Sequence, residues 1–276
     1  MLTDLHIHTY FSDGSLSPDE VVQSALQKGL SVISICDHDT IGAYNTLPRL
    51  CAEADILLIQ GVEIDVVWQD KFLHLLAYGF DPENPDILQV LNKSRYELDQ
   101  ISVEMVSKMQ KDFPNINPAD YKKYEYKLGN GGWKGINYFK DRGLTNELMD
   151  GLKFFSKYGT YKPDFIAIAD VCKTVREAGG YPVLAHPGNW WLDKPDELDN
   201  ILTDIWQSGI AGIECYYPSH TNEFTNRCVS FCKNHDLLIT CGGDGHGNFC
   251  NLVDGIEYDI GIMKVDSEKL NLKWII

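Results

Sequence analysis

The chain opens with Met1-Leu2-Thr3-Asp4-Leu5-His6-Ile7-His8-Thr9, and the other predicted elements are arranged around this stretch. Residues 2–9 are apolar and β-branched enough to predict a short buried strand. Residues two apart in a strand project from the same face, so His6 and His8 point together, about 7 Å apart along the chain. Two imidazoles held side by side form half of a metal site, although an isolated pair of this kind is more often hydrogen-bonded in a core.

Strands and helices are predicted to alternate along most of the chain. Ser17-Pro18-Asp19-Glu20 supplies an N-cap, a proline at the first helical position and a capping-box glutamate, which together predict a helix to about Lys28. Further buried strands are predicted at residues 30–36, 56–68, 72–80, 181–185, 212–216 and 237–241. Further helices are predicted to end near residues 54, 177, 208 and 235. This alternation predicts a parallel sheet or barrel.

The alternation is interrupted between the strand at 72–80 and Asp164. Residues 85–110 predict one long polar helix, and residues 112–162 are irregular and rich in Tyr, Lys and Gly. The glycine cluster at 129–135 lacks the spacing of a nucleotide-binding motif and is interpreted as a flexible loop. Residues 95–162 carry a net charge of +3, against −19 for the rest of the chain. This asymmetry predicts an inserted cap that faces anions, with a solvated helical insert as the alternative.

The composition limits the class of protein. A chain of 276 residues has the length of a single α/β barrel with an insertion. Its net charge of −16 argues against duplex nucleic acid and anionic membranes as partners. The eight cysteines form no CxxC pair, which indicates reduced, buried thiols. No leader and no apolar run of about 20 residues is present, so a cytoplasmic location is expected.

Histidines are concentrated at the predicted strands. Seven of the eight lie within or just after a strand, and only His235 resembles helix surface. The carboxyl ends of parallel strands meet at one rim, so these side chains should converge there with nearby carboxylates. The candidate metal ligands are His6, His8, Asp13, His38, Glu63, His74, His186, Asp244 and His246. Imidazole and carboxylate without thiolate suit two or three divalent ions of Mn, Fe or Zn, a multinuclear arrangement that favours phosphoryl transfer to water.

Taken in order, these residues resemble the motif set of the PHP (polymerase and histidinol phosphatase) superfamily. The resemblance rests on His6-x-His8, Asp13-Gly14, Asp37-His38-Asp39, Gly61-Val62-Glu63, His74, Ala185-His186-Pro187-Gly188 and Gly243-Asp244-x-His246. It implies an α/β fold, a distorted (β/α)7 barrel with an inserted, mainly helical cap. The implied boundaries are residues 1–94 and 163–276 for the barrel and 95–162 for the cap.

The resemblance also implies a trinuclear metal site. One ion would be bound by His6, His8, Glu63 and Asp244, a second would share Glu63 and add His74 and His186, and a third would take Asp13, His38 and His246. The expected cofactors are therefore two or three divalent ions.

The insert after the His74 strand resembles the stand-alone members that remove the 3′-phosphate from nucleoside 3′,5′-bisphosphates, some of which also trim short RNA from the 5′ end. This implies a metal-dependent hydrolase in which a metal-bridged hydroxide attacks a phosphomonoester of a small nucleotide. The expected catalytic residues are Asp13, His38, His220 and His246. The alternatives are a histidinol-phosphate phosphatase, an exonuclease or phosphodiesterase acting on short oligonucleotides, and a non-catalytic module that retains metals for regulation.

The expected substrate contacts are His220, Arg95 and Asn189. His220 lies in a segment that resembles the same group and is a candidate for contacting phosphate or protonating the leaving oxygen; the alternative is a cap on the following helix. That group often continues its AHPG motif with arginine, whereas Asn189-Trp190-Trp191 follows here. Arg95 or lysines of the insert are expected to replace the missing charge, and the tryptophans either stack on a base or pack in the core.

Overall fold

A computed structural model describes residues 1–273 and 275, and a mixed α/β barrel is its main feature. The strands are β1 (Leu2–Ile7), β2 (Leu30–Ile35), β3 (Leu57–Trp68), β4 (Lys71–Tyr78), β5 (Tyr181–Leu184), β6 (Gly212–Tyr216), β7 (Leu238–Cys241), β8 (Leu252–Val253), β9 (Ile256–Glu257) and β10 (Val265–Asp266). The helices are α1 (Pro18–Gln27), α2 (Leu47–Glu53), α3 (Pro85–Met109), α4 (Pro118–Lys123), α5 (Lys134–Asp141), α6 (Phe155–Tyr158), α7 (Ile168–Glu177), α8 (Gly188–Trp191), α9 (Leu198–Gln207) and α10 (Asn222–Asn234). Short 3₁₀ helices cover Gly42–Asn45, Leu128–Asn130, Met149–Phe154 and Ser267–Lys269.

The large sheet nearly closes on itself. Its strand order is β10-β1-β2-β3-β4-β5-β6-β7, and β8 and β9 form a separate pair. Beyond β7 the chain runs beside β1, where the Asp244 N–H donates to the His6 carbonyl at 2.9 Å and the His8 N–H donates to the Gly245 carbonyl at 3.0 Å. These bonds join the two ends of the sheet at one rim. The predicted α/β barrel is therefore confirmed.

Strand β4 departs from the expected parallel arrangement. It pairs antiparallel with both β3 and β5, whereas β1–β2, β2–β3, β5–β6 and β6–β7 are parallel. Only Gln69 and Asp70 separate β3 from β4, which suffices for a hairpin but not for the dozen or more residues of a helical crossover. The direction of β4 is therefore reversed, and its first half, with His74, lies at the rim where the parallel strands end.

Most of the helical insert between β4 and α7 packs around a second hydrophobic core, to which Phe249 of the loop after β7 also contributes. Helix α3 spans two cores, because Ile87 and Leu91 pack into the barrel while Met105 and Met109 pack into the insert. Residues 112–162 are more regular than expected, since they contain α4, α5 and α6. The insert therefore packs on the barrel through one continuous helix.

The glycine cluster is packed rather than loose, contrary to expectation. The Gly132 N–H donates to the Asp13 carbonyl at 2.6 Å, and Gly131 and Gly132 have φ of +74° and +66°. A Cβ at Gly131 would lie 2.4 Å from Phe249, so the close approach also requires glycine. This contact brings the insert against the loop that carries Asp13.

The other helices largely follow the sequence. The capping box predicted at Ser17 and Glu20 is present at α1. The helix expected to end near Ser208 is divided into α8 and α9, and α2 is shorter than expected, beginning at Leu47. Within residues 1–273 and 275, no helix is both long and apolar enough to cross a membrane.

Candidate metal centre

The centre of the rim is the carboxylate of Glu63, which lies in β3 and is 1% exposed. Five imidazole nitrogens surround this carboxylate. They are His74 Nδ1 at 2.9 Å, His186 Nε2 at 3.0 Å, His6 Nε2 at 3.2 Å, His8 Nε2 at 3.3 Å and His38 Nε2 at 3.3 Å. His6 and His74 lie in strands β1 and β4. His8, His38 and His186 lie in the loops just after β1, β2 and β5, as the strand-end prediction requires.

Backbone conformation helps to aim the side chains that follow β5 and β7. His186 has a φ of +24° and Asp244 a φ of +50°, in the left-handed region that residues other than glycine rarely adopt. The His186 N–H donates to a buried carboxylate oxygen of Glu214 at 2.9 Å, which holds the turn in place. Strained backbone of this kind is concentrated at functional sites.

The structure brings together all nine residues predicted to be metal ligands. Within each of three groups the ligand atoms lie within 4.8 Å of one another: His6, His8, Glu63 and Asp244; Glu63, His74 and His186; and His8, Asp13, His38 and His246. A fourth group that meets the same condition, His38, Asp65 and His74, includes a carboxylate outside the predicted nine. The first two groups are the sets that the sequence resemblance implied, and the third gains His8. The assignment of each group to an ion stays a prediction.

The arrangement of these donor atoms suits bound divalent cations better than it suits direct hydrogen bonds between the side chains. His6 Nε2 and His8 Nε2 face each other at 3.1 Å, although at least one such nitrogen must lack a proton for them to attract. A carboxylate offers about four lone-pair sites, fewer than the five ring nitrogens around Glu63. Cations between these atoms would satisfy both features, and imidazole with carboxylate is a donor set for first-row divalent metals.

Neighbouring opposite charges outweigh burial for Glu63, His8 and His74, whereas burial lowers the pKa of His38. Burial alone would raise the pKa of Glu63, but the imidazoles of His38, His6 and His74 outweigh it and hold this pKa well below its ordinary value. Burial alone would lower the pKa of His8, but Asp244 and Glu63 raise it to about 10. The pKa of His74 is raised in the same way, chiefly by Glu63, to about 9.

These shifts predict that metal binding depends on pH. The raised pKa values of His8 and His74 favour protonation of both rings in the metal-free protein, and a metal must displace these protons to reach the same nitrogens. Mn²⁺ affinity should therefore fall as pH falls from 8 to 6, by about tenfold per pH unit for each proton displaced. Calorimetric titrations in buffers of different ionisation enthalpy measure the proton release directly. An affinity independent of pH would contradict this prediction.

A cavity of about 350 Å³ opens beside the cluster. One wall carries predicted ligands and an extra carboxylate: Asp13, His38, His74 and Asp65. The facing wall is built from β4 and the insert: Phe72, Arg95, Leu98, Asp99, Ile101, Ser102, Tyr121, Trp133, Lys134 and Phe155. The cavity therefore joins a cluster suited to metals to a largely apolar and aromatic surface that also carries Arg95, Lys134 and Asp99.

Comparison with known proteins assigns the family. The PHP domain family matches residues 4–140. The chain belongs to the PHP family. It is 27% identical to a 5′-3′ exoribonuclease of Haemophilus influenzae, over 92% of this chain and 96% of that protein. It is 25% identical to a phosphoribosyl 1,2-cyclic phosphate 1,2-diphosphodiesterase of Eggerthella lenta, over 90% and 95%. It is 24% identical to a 3′,5′-nucleoside bisphosphate phosphatase of Chromobacterium violaceum, over 88% and 86%.

A solved structure supports the same assignment. A Bifidobacterium adolescentis protein assigned as a metal-dependent phosphoesterase superposes with a TM-score of 0.78 at 27% identity, covering 97% of this chain and 93% of that one. The relatives differ in substrate, but all are named for the hydrolysis of phosphoric esters. This PHP-family chain is accordingly a metal-dependent phosphoesterase.

His220 is not among the residues that line the cavity, and both of its ring nitrogens are hydrogen-bonded within the protein. Its Nε2 accepts a hydrogen bond from the Gly188 N–H at 2.9 Å, and its Nδ1 donates to the Cys215 carbonyl at 3.0 Å. A neutral imidazole has one donor and one acceptor, so both are used inside the protein. Burial lowers the pKa of His220 to about 4, which keeps it neutral. These contacts favour a role in positioning the turn that carries His186, and the proton-donor and phosphate-contact roles of His220 stay predictions.

We therefore expect His220→Ala to lower turnover by about tenfold, the effect of one lost hydrogen bond at the turn. Because both ring nitrogens already have hydrogen-bond partners within the protein, we expect the shape of the pH–rate profile to stay the same. His235→Ala is the matched control, since His235 packs between Trp206 and Phe231 on α9 and α10. Loss of one limb of the profile in His220→Ala would instead show proton transfer by this ring.

The other predicted substrate contacts are placed differently. Arg95 lines the cavity, and its Nη1 donates to the His38 carbonyl at 3.4 Å. Asn189 is exposed, and its side-chain oxygen accepts a hydrogen bond from Ser219 at 2.9 Å. Trp191 is buried in the barrel core, whereas Trp190 stacks on His186 with ring centroids 5.0 Å apart. Of these residues, Arg95 is the one at the cavity wall.

Two carboxylates of the site were missed by the sequence reasoning. Glu214 accepts from His6 Nδ1 at 3.1 Å, and Asp65 lies 3.3 Å from His74 Nε2. The position of each residue in the sequence could have indicated its place in the site. Glu214 is an acid in the middle of an apolar strand, and Asp65 is two residues from Glu63, hence on the same strand face.

Proposed function

We propose that the chain hydrolyses a phosphomonoester of a small nucleotide, such as a nucleoside 3′,5′-bisphosphate. The observation that carries this proposal is the cavity of about 350 Å³ between the ligand cluster and the insert. Its size lies near the lower end of ligand pockets, roughly 300–1,000 Å³. A single nucleotide suits this volume better than a folded nucleic acid does.

The two walls of the cavity suit the two ends of such a substrate. A phosphate at the cluster wall would lie beside Asp13 and His38. A planar base at the facing wall would meet the rings of Phe72, Trp133 and Phe155, which can stack on any base. We therefore propose that aromatic residues of β4 and the insert, rather than the tryptophans after His186, contact the base.

The nine predicted ligands would hold two or three divalent ions of Mn, Fe or Zn. Such ions activate water for attack on phosphorus and neutralise charge on the phosphate oxygens. The chain itself binds and orients the substrate: Arg95 and Lys134 supply positive charge at the cavity wall. Residues 95–162 are proposed to form a cap that excludes water from the cavity. Asp13 and His246, whose Oδ1 and Nε2 atoms are 3.2 Å apart, are proposed to complete the third ligand group.

A second candidate is a phosphodiesterase that shortens oligonucleotides from one end. The observation in its favour is the 27% identity to a 5′-3′ exoribonuclease over 92% of the chain. The same cluster would serve, and the terminal nucleotide would occupy the cavity. The two candidates differ in whether the bond that is broken lies to a terminal phosphate or to the next nucleotide.

A release screen with Mn²⁺ separates these candidates. The substrates are nucleoside 3′,5′-bisphosphates, 3′- and 5′-monophosphates, di- to pentanucleotides and histidinol phosphate. We expect the highest kcat/KM for a 3′,5′-bisphosphate, with inorganic phosphate as the product. Faster release of mononucleotides from oligonucleotides would favour the second candidate, and a preference for histidinol phosphate would contradict both.

Arg95→Gln tests the cavity as the substrate site. A charge-assisted hydrogen bond contributes about 1.5–3 kcal/mol, so the variant should lower kcat/KM by about 10- to 100-fold, mainly through KM. Arg49→Gln is the control, because Arg49 is exposed on α2 and pairs with Glu53 at 2.8 Å. Equal KM values for the Arg95 variant and the wild type would place the substrate elsewhere.

A further inference from the structure

Asp65 is a buried carboxylate outside the nine predicted ligands. It is 1% exposed and lies on β3 two residues after Glu63. Its Oδ1 lies 3.3 Å from His74 Nε2 and 3.7 Å from His38 Nδ1. Among the residues that the structure describes, both oxygens of Asp65 and His38 Nδ1 lack a partner at hydrogen-bonding geometry. The buried carboxyl of Asp39 lies beside Asp65, and burial together with the Asp65 charge raises the pKa of Asp39 well above its ordinary value.

The opposite nitrogens of the same two rings face Glu63. His74 Nδ1 is 2.9 Å from Glu63 Oε1, and His38 Nε2 is 3.3 Å from Glu63 Oε2. Each ring therefore lies between two carboxylates that project from one face of one strand. His6 shows the same arrangement on the other side of the cluster, where its outer nitrogen faces Glu214.

This arrangement determines which nitrogen carries the proton when a cation occupies the cluster. A neutral imidazole holds its proton on one nitrogen and a lone pair on the other. A carboxylate beside the outer nitrogen attracts the proton there, which leaves the inner lone pair for a metal. The carboxylate also fixes the plane of the ring.

We propose that Asp65 is a positioning residue that keeps the protons of His38 and His74 on the nitrogens facing away from Glu63. Because His38 and His74 belong to different predicted ion groups, one carboxylate then orients a ligand in each of two groups. The group of His6, His8 and Asp244 does not depend on Asp65. This inference rests on the proposed metal centre.

The first test is Mn²⁺ binding by Asp65→Asn. Loss of such an outer partner typically weakens metal affinity by about 10- to 100-fold, and we expect this loss at two ions but not at the ion of the His6 group. Asp70→Asn is the control, since Asp70 is an exposed residue in the turn between β3 and β4. Thermal unfolding of the metal-free variants shows whether the fold is kept. An Asp65 variant that binds all its Mn²⁺ as Asp70→Asn does would overturn the proposal.

The second test uses the wild type and does not depend on the variant folding. In Zn²⁺-loaded protein with ¹⁵N-labelled histidine, we expect slowly exchanging protons on His38 Nδ1 and His74 Nε2. Protons on the Glu63-facing nitrogens, or no protected proton on either ring, would overturn the role of Asp65. A wild type that binds neither Zn²⁺ nor Mn²⁺ would instead overturn the proposed metal centre, so the two failures are distinguishable.

Discussion

Glu63→Gln is expected to abolish phosphoester hydrolysis and to strip the protein of most of its metal. The substitution keeps the shape of the side chain but removes the charge on which five imidazole nitrogens converge within 2.9–3.3 Å. Removing one partner from a buried charged set costs about 3–5 kcal/mol, which corresponds to about 10²- to 10⁴-fold in affinity. Metal analysis of the purified protein and Mn²⁺ titration measure this loss.

Glu53→Gln is the matched control for this variant, because Glu53 is an exposed glutamate on α2. It should retain the metal content and turnover of the wild type. The fold of the Glu63 variant should survive at low temperature, since the surrounding barrel core is apolar and unchanged. Wild-type metal content in Glu63→Gln would show that this carboxylate does not join the predicted ion groups.

The second large effect is expected for Asp13→Ala and His246→Ala. Both should lower turnover by orders of magnitude while leaving the fold largely intact, because both residues lie in loops rather than in strands. Asp13 Oδ1 lies 3.2 Å from His246 Nε2, and the two side chains are predicted to bind the same ion. The double variant should therefore be little worse than either single variant. Steady-state phosphate release measures all three.

His235→Ala provides the control for the loss of a histidine. His235 caps the C-terminal end of α10 and contacts Trp206 and Phe231, neither of which is a predicted ligand. Its removal should affect thermal stability more than turnover. Turnover at the wild-type rate in Asp13→Ala or His246→Ala would contradict the third ion group, and fully additive losses would argue that the two residues act separately.

The sequence predicted the convergence of the candidate ligands because parallel strands end at a common rim. His6, His8, His38 and His186 occur within or just after strands, and this position alone brings their rings together. His74 reaches the same rim for a different reason, because β4 is reversed by a two-residue hairpin. The correct location was therefore predicted for His74 from an incorrect strand direction.

Contacts between segments distant in sequence were harder to predict. The pattern around His220 gave no sign that Gly188 and Cys215 would occupy both ring nitrogens. The packing of Gly131 and Gly132 against Phe249 and Asp13 likewise depends on how the insert meets the barrel. Strand periodicity describes the barrel, whereas these contacts depend on loop conformation, which propensity does not determine.

The central claim is that the nine predicted ligands hold two or three divalent ions. Crystals of the wild type grown with Mn²⁺, with anomalous diffraction recorded at the manganese edge, test this claim most directly. We expect two or three anomalous peaks among the nine side chains around Glu63, with neighbouring ions about 3.5–4 Å apart. An absence of peaks within coordination distance of Glu63 in fully supplied crystals would contradict it.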